Sequence, residues 1–153
     1  MEIVVNEWLL DYLRPDAEKS HNKLAVRFIE NWVRGCYRVV IRKQSPFSKK
    51  LFDYMKQSEP SPSMHRPFSK LHKLLFRDSD KTLIVDEPDI KGLPEYLKVK
   101  TPGDDKYLVE LSYSGTARVI VTTDTRLKDA LQDEPHIKIY LLEEFLRENL
   151  PNS

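Results

Sequence analysis

Asp124 stands just behind a compact β-branched run, Arg118 to Thr122, and a helix-forming segment opens immediately after it. A strand that stops there puts a carboxylate at its carboxyl end, with the Thr122 hydroxyl beside it to orient the group. Open α/β sheets hold ligands and metal ions along that edge. Thr and Asp at a strand–helix junction are also ordinary capping residues, so the pair has to be read with its neighbours. Asn6 and Glu7 follow an expected first strand, Glu2 to Val5. Arg42 follows a second, Arg38 to Ile41, and Asp86 with Glu87 follow a third, Thr82 to Val85. Asp104 and Asp105 head a helix-forming stretch, Asp104 to Ser114, which leads into the strand ending before Asp124. The set is rich in oxygen donors and poor in His and Cys, which suits Mg²⁺ or Mn²⁺ rather than zinc. Such a cation activates water and neutralises a phosphodiester undergoing in-line attack. Taken singly, Asp104 and Asp105 also serve as N-terminal partners of a helix dipole; their combination with Asp124 makes the case for a metal.

The elements that must position these groups alternate between strand and helix. Continuous apolar runs (Ile3-Val4-Val5, Val39-Val40-Ile41, Leu83-Ile84-Val85, Val119-Ile120-Val121) read as strands buried on both faces. Helices are expected over Glu7–Leu13, Lys19–Arg34, Ser48–Lys56, Phe68–Phe76 and Asp104–Ser114, with a short one after Asp124. Lys19–Arg34 is the clearest, since Leu24, Phe28, Ile29, Trp32 and Val33 share one face and Gly35 closes it as a C-cap. Ile90–Leu97 reads as a broken helical turn. A last strand, Ile137–Leu141, and a closing helix, Leu142–Asn149, finish the chain. The alternation predicts an α/β protein with a mostly parallel sheet and helices on both faces. Residues 57–67, QSEPSPSMHRP, read as a flexible Pro/Ser-rich loop and not as a domain boundary.

A chain of 153 residues fits one domain with a core of its own. No run approaches the roughly 18 apolar residues of a membrane span. Met1–Val5 lacks the basic and long apolar regions of a signal peptide, so a cytoplasmic location is expected, with no membrane partner. Cys36 is the one cysteine, which excludes an internal disulfide and a thiolate zinc cluster; between Gly35 and Tyr37 it reads as a small packing residue. Four glycines, with no Gly-rich phosphate loop and no Gly-x-Ser-x-Gly elbow, argue against the nucleotide-cofactor and hydrolase folds that need them.

The net charge of +1 hides an asymmetry. From Arg42 to Arg77 there are nine Lys/Arg against Asp53 and Glu59, or +7, leaving −6 elsewhere. Phe47, Phe52, Tyr54, Phe68 and Phe76 are interleaved with those cations. Basic side chains beside stackable rings suit a phosphate backbone with unpaired bases. Helices that present Lys outward and Phe inward produce the same composition.

Four pieces occur in an order that one family shares. They are Ile3-Val4-Val5-Asn6-Glu7-Trp8-Leu9-Leu10-Asp11-Tyr12-Leu13, Thr101-Pro102-Gly103-Asp104-Asp105-Lys106-Tyr107-Leu108-Val109-Glu110-Leu111, Thr122-Thr123-Asp124-Thr125-Arg126-Leu127, and Ile137-Lys138-Ile139-Tyr140-Leu141-Leu142-Glu143-Glu144-Phe145-Leu146. They resemble the first strand and Leu-rich helix, the acid-headed helix, the Thr-x-Asp strand end and the final strand and helix of PIN-domain proteins. That nuclease-like family includes many prokaryotic toxins and RNA-processing factors. The resemblance implies one PIN-like domain over 1–153, a three-layer sandwich around a central, mostly parallel sheet of four to five strands. It also implies a Mg²⁺- or Mn²⁺-dependent ribonuclease. Asp124 matches the late metal-binding Asp, Thr122 its supporting hydroxyl, and Asp105, or its neighbour Asp104, the acid before it.

Two departures stand out. The family places an Asp directly after its first strand, where this chain has Asn6, an uncharged amide and a poorer ligand for a hard cation. Glu7 compensates only if the turn rotates it inward. The family also places a Glu early in the helix after its second strand, whereas Gln44–Lys50 contains no acid. The resemblance therefore implies a catalytic set of Asp105, Asp124, Asn6 and Glu7, a metal set of Asp105, Asp124 and Asp104, and an RNA backbone held by Arg42, Lys43, Lys49 and Lys50. It brings two partners besides RNA, an antitoxin or other partner protein and a second copy in a homodimer. The competing reading is a PIN-like domain without catalysis that binds RNA or protein through its basic segment.

Overall fold

Five short β-branched runs pair side by side, each one too apolar to leave in water. In the computed structural model they are β1 (Glu2–Val5), β2 (Arg38–Arg42), β3 (Thr82–Val85), β4 (Val119–Thr122) and β5 (Lys138–Leu141). All pairings are parallel, in the order β3-β2-β1-β4-β5. Residues 1–58, 62–115 and 117–148 are described, the backbone alone for 57–58 and 62–67. Eight α-helices accompany the strands among these residues: α1 (Trp8–Tyr12), α2 (Lys19–Arg34), α3 (Pro46–Ser58), α4 (Pro62–Phe76), α5 (Glu95–Lys100), α6 (Lys106–Ser114), α7 (Thr125–Leu131) and α8 (Leu142–Glu148).

Strand side chains alternate between two cores. Ile3, Val5, Val39, Ile41 and Val121 face α1, α2, α3, α4 and α8, where Trp32, Phe28, Phe47, Phe68 and Phe145 are fully buried. Val4, Val40, Ile120 and Ile139 face α5, α6 and α7 through Leu97, Leu108, Leu111, Leu127 and Leu131. The result is the expected three-layer α/β sandwich, with the sheet parallel throughout. Each fully buried Phe or Leu contributes about 1.5–3 kcal/mol.

Several local expectations are corrected. β3 is an edge strand and is not buried on both faces: Ile84 is 40% exposed. The 57–67 stretch is largely helical, because α3 continues to Ser58 and α4 starts at Pro62, where a proline at the first helical position loses no bond. Residues 59–61 lie outside the described residues. The Ile90–Leu97 turn is replaced by a 3₁₀ turn at Glu87–Asp89 and by α5, which starts after Pro94. The helix expected from Asp104 begins as a 3₁₀ turn, Gly103–Asp105. Gly35 does follow α2, but its backbone is extended (φ −79°, ψ 167°); a Cβ there would lie 2.7 Å from Tyr37 Cε1 and 2.8 Å from the Asn31 carbonyl oxygen. Close packing, not a left-handed turn, requires the glycine. Cys36 is exposed and so is not a packing residue.

The strand order places the site. From β1 the chain steps outward through β2 to β3, then crosses back to lay β4 on the other side of β1. Loops leaving β1 and β4 therefore diverge and open a crevice at their carboxyl ends, the position where open parallel sheets bind ligands. Asn6 and Thr122 stand there. No helix among the described residues is long and apolar enough to cross a membrane.

Candidate active site

Pairing of β1 with β4 matches Val5 to Val121, so the next residues, Asn6 and Thr122, meet. The Asn6 amide nitrogen donates to Thr122 Oγ1 at 3.2 Å, and the same hydroxyl oxygen accepts from the Asp124 backbone N–H at 3.1 Å. Trp8 Nε1 donates to the Val121 carbonyl at 2.9 Å and pins the turn after β1. Asp124 is the N-cap of α7: its Oδ1 accepts from the Arg126 backbone N–H at 2.9 Å, with the Arg126 guanidinium 3.5 Å away. The capping role and the ligand role thus fall on one carboxylate.

Asp105 ends its 3₁₀ turn with the side chain buried, turned toward Asp124, Asn6 and Glu7. Burial raises its pKa to about 6, and the Asp124 charge pushes in the same direction; the Asn6 amide opposes them. Each carboxyl acts on the other: Asp124 raises the proton affinity of Asp105, and Asp105 lowers that of Asp124. Asp124 itself is held below the usual carboxylate range. Partial burial works against this, but the Arg126 backbone N–H and side chain, together with Asp105, outweigh it. Glu7 accepts from Tyr107 Oη at 3.1 Å, and burial, then Glu7, keeps that phenol neutral.

Asn6, Glu7 and Tyr107 line a cleft of about 710 Å³ together with Asp11, Lys50 and Asp104, while Asp105 and Asp124 are not part of its lining. Of the two neighbouring acids, Asp105 is the one buried against Asp124, while Asp104 is exposed on the cleft wall. Asp11 and Tyr107 were not singled out from the sequence. Asp11 lies one helical turn beyond Glu7, a spacing that was legible; nothing in the sequence marks Tyr107. Asp11 accepts from Lys50 Nζ at 3.1 Å and from Tyr54 Oη at 2.7 Å, so the acid missing from the 44–50 segment is supplied by α1 to that segment's own lysine.

The four expected backbone-binding cations are placed differently from one another. Arg42 is engaged in a two-pronged pair with Glu87, at 2.5 and 2.7 Å, with Glu110 at 3.6 Å. Its guanidinium also donates to the Tyr107 carbonyl at 3.4 Å. Its side chain is only 12% exposed, so it braces the sheet edge instead of facing the cleft. Lys43 is exposed and pairs with Asp86 at 3.6 Å. Lys50 reaches the cleft through its pair with Asp11, and Lys49 is exposed on α3.

Whether a hard cation fits is decided by the donors present. Asn6 Oδ1 is buried with no hydrogen-bond partner, and leaving such an atom unsatisfied costs about 1–3 kcal/mol. The other end of the amide, its nitrogen, donates to Thr122, and the amide opposes the upward shift of Asp105. Two carboxylates and an amide oxygen are all hard donors, and Mg²⁺ is commonly held by only one or two carboxylates with water and phosphate completing its shell. No three His, Cys, Asp or Glu side chains among the described residues gather as a metal-holding group, so the amide oxygen is needed as the third donor. No protein-family model matches this chain, and no curated protein matches it.

Proposed function

We propose that this chain is a PIN-like ribonuclease with a weakened acidic site, using Mg²⁺ or Mn²⁺ to cleave phosphodiester bonds of RNA in the cytoplasm. The observation that carries the reading is the meeting of Asp105 with Asp124 at the β1/β4 crevice, where Asn6 also stands. Asp105, Asp124 and Asn6 Oδ1 would hold the cation. When bound, it neutralises charge on the phosphate and acidifies a water.

The chain's own residues prepare that site. Asp105 releases its proton above about pH 6 and presents a second carboxylate. Asp124 stays ionised through its N-cap bond and Arg126. Thr122 fixes Asn6 and the Asp124 backbone at once. Tyr107 holds Glu7 on the cleft wall, and Lys50 gives the opposite wall a positive group for a phosphate oxygen. Arg42 is a positioning residue, since it ties the end of β2 to Tyr107.

The second reading, a PIN-like domain that binds RNA or a partner protein without cleaving, is favoured by one observation: an amide stands where a third carboxylate would complete the cation site. A cleavage assay on single-stranded RNA with Mn²⁺ separates the two. Asp124→Ala and Asp105→Ala should each lower the rate at least about a hundredfold, as loss of a transition-state charge partner does. Unchanged cleavage, or no Mn²⁺-dependent cleavage by the parent protein, rejects the nuclease reading.

A further inference from the structure

Of the rings interleaved with lysines, Phe47 and Phe68 are buried in the core and Tyr54 is held by Asp11. Phe52 and Phe76 behave differently. They are 54% and 39% exposed, on α3 and α4 respectively, and they stack with centroids 6.4 Å apart and planes 29° from parallel. His72 extends the pair, its ring 4.9 Å from Phe76. Neither core explains this exposed apolar platform. Leaving two phenylalanines partly in water forgoes part of what their burial would contribute.

The surroundings say what would cover it. α3 and α4 each carry three Lys/Arg, and their one acid is Asp53. Lys49 and Lys56 lie one turn before and after Phe52, and Lys73 one turn before Phe76. All three are exposed and form no ion pair among the described residues. An apolar or neutral protein surface would leave these cations buried without partners, at a desolvation penalty. A single-stranded nucleic acid meets it with phosphates, and its flat bases match the rings.

We propose that Phe52 and Phe76 form a stacking platform for an unpaired base of single-stranded RNA, with Lys49, Lys56 and Lys73 holding the flanking phosphates. The proposal rests on the reading of RNA as the substrate and adds a second holding point. Lys50, on the flank of α3 roughly opposite Phe52, faces the cleft, so one helix would grip the strand at both places.

Fluorescence anisotropy of a labelled oligouridylate with the full chain tests this. A Phe52→Leu/Phe76→Leu variant keeps apolar bulk and loses the rings; binding should weaken about tenfold, and Lys98→Gln, on α5 in the layer across the sheet, should leave it unchanged. A Lys49→Gln/Lys56→Gln/Lys73→Gln variant should flatten the salt dependence by about three phosphate contacts. Circular dichroism melts verify that each variant is folded. Affinity indifferent to the ring change, equal binding of a duplex, or tighter binding of the deoxy strand overturns the proposal. So does a ring-dependent shift in sedimentation of the free protein, which would make the face a contact between copies. Loss of cleavage with Asp124→Asn, or no cleavage at all, judges the nuclease reading and leaves the platform result standing.

Discussion

Asn6 and Thr122, 116 residues apart in the chain, are joined by a hydrogen bond that closes the crevice between the first and fourth strands. The bond uses the nitrogen of the Asn6 amide and leaves its oxygen buried without a partner. The same amide acts on Asp105, which with Asp124 governs how the site responds to protons, cations and substitution.

Asn6→Asp places a third carboxylate against Asp105 and Asp124. Like charges at short range oppose one another, so the variant should melt below the parent protein in a chelator. Added Mn²⁺ should restore the melting temperature and bind at least tenfold tighter than in the parent, read by calorimetry. Equal Mn²⁺ heats for the two proteins would argue that position 6 is not a ligand position.

Stability should fall as pH rises through about 6. Asp105 holds its proton more tightly folded than unfolded, about 6 against 3.8. Its contribution is therefore fully present below pH 3.8 and lost as pH climbs past 6. The shift corresponds to about 2–3 kcal/mol. Urea unfolding at pH 4.5 and 7.5 should show Asp105→Asn gaining stability over the parent mainly at the higher pH. A parallel displacement at both values would place the proton elsewhere.

Asp124 combines a cap with a charge, and two substitutions separate them. Asp124→Asn keeps an oxygen for the Arg126 N–H and should melt near the parent protein while losing cleavage. Asp124→Ala loses both, with about 1 kcal/mol of stability gone. Thermal melts beside cleavage rates distinguish the two; similar melts would mean that the cap contributes nothing.

Gly35→Ala should destabilise by about 1–3 kcal/mol, because its Cβ would press on the Tyr37 ring and the Asn31 carbonyl. Adding Tyr37→Ala to that variant should remove part of the penalty. Full additivity in urea unfolding would rule out the ring as the obstacle.

Much of the architecture was legible along the chain because it follows from local chemistry. β-Branched runs made β1 and β3 readable to the residue, and the 3.6-residue apolar period did the same for Lys19–Arg34. Thr122, Asp124 and Asn6 could be placed at strand ends, and Asp105 at the head of a helix, for the same reason. Helix limits blurred where proline was read as a breaker, as at Pro62, although it suits the first turn of a helix.

Which strand neighbours which was settled by the fold alone, and the site depends on it. Laying β4 against β1 brings Thr122 onto Asn6 and buries Asp105 beside Asp124, so the proton affinity of one carboxyl rises and that of the other falls. The same arrangement spends Arg42 on Glu87 and Glu110 and joins Lys50 to Asp11. A sequence lists charges without saying which will be desolvated together, and desolvation with pairing across distant segments is what sets their chemistry.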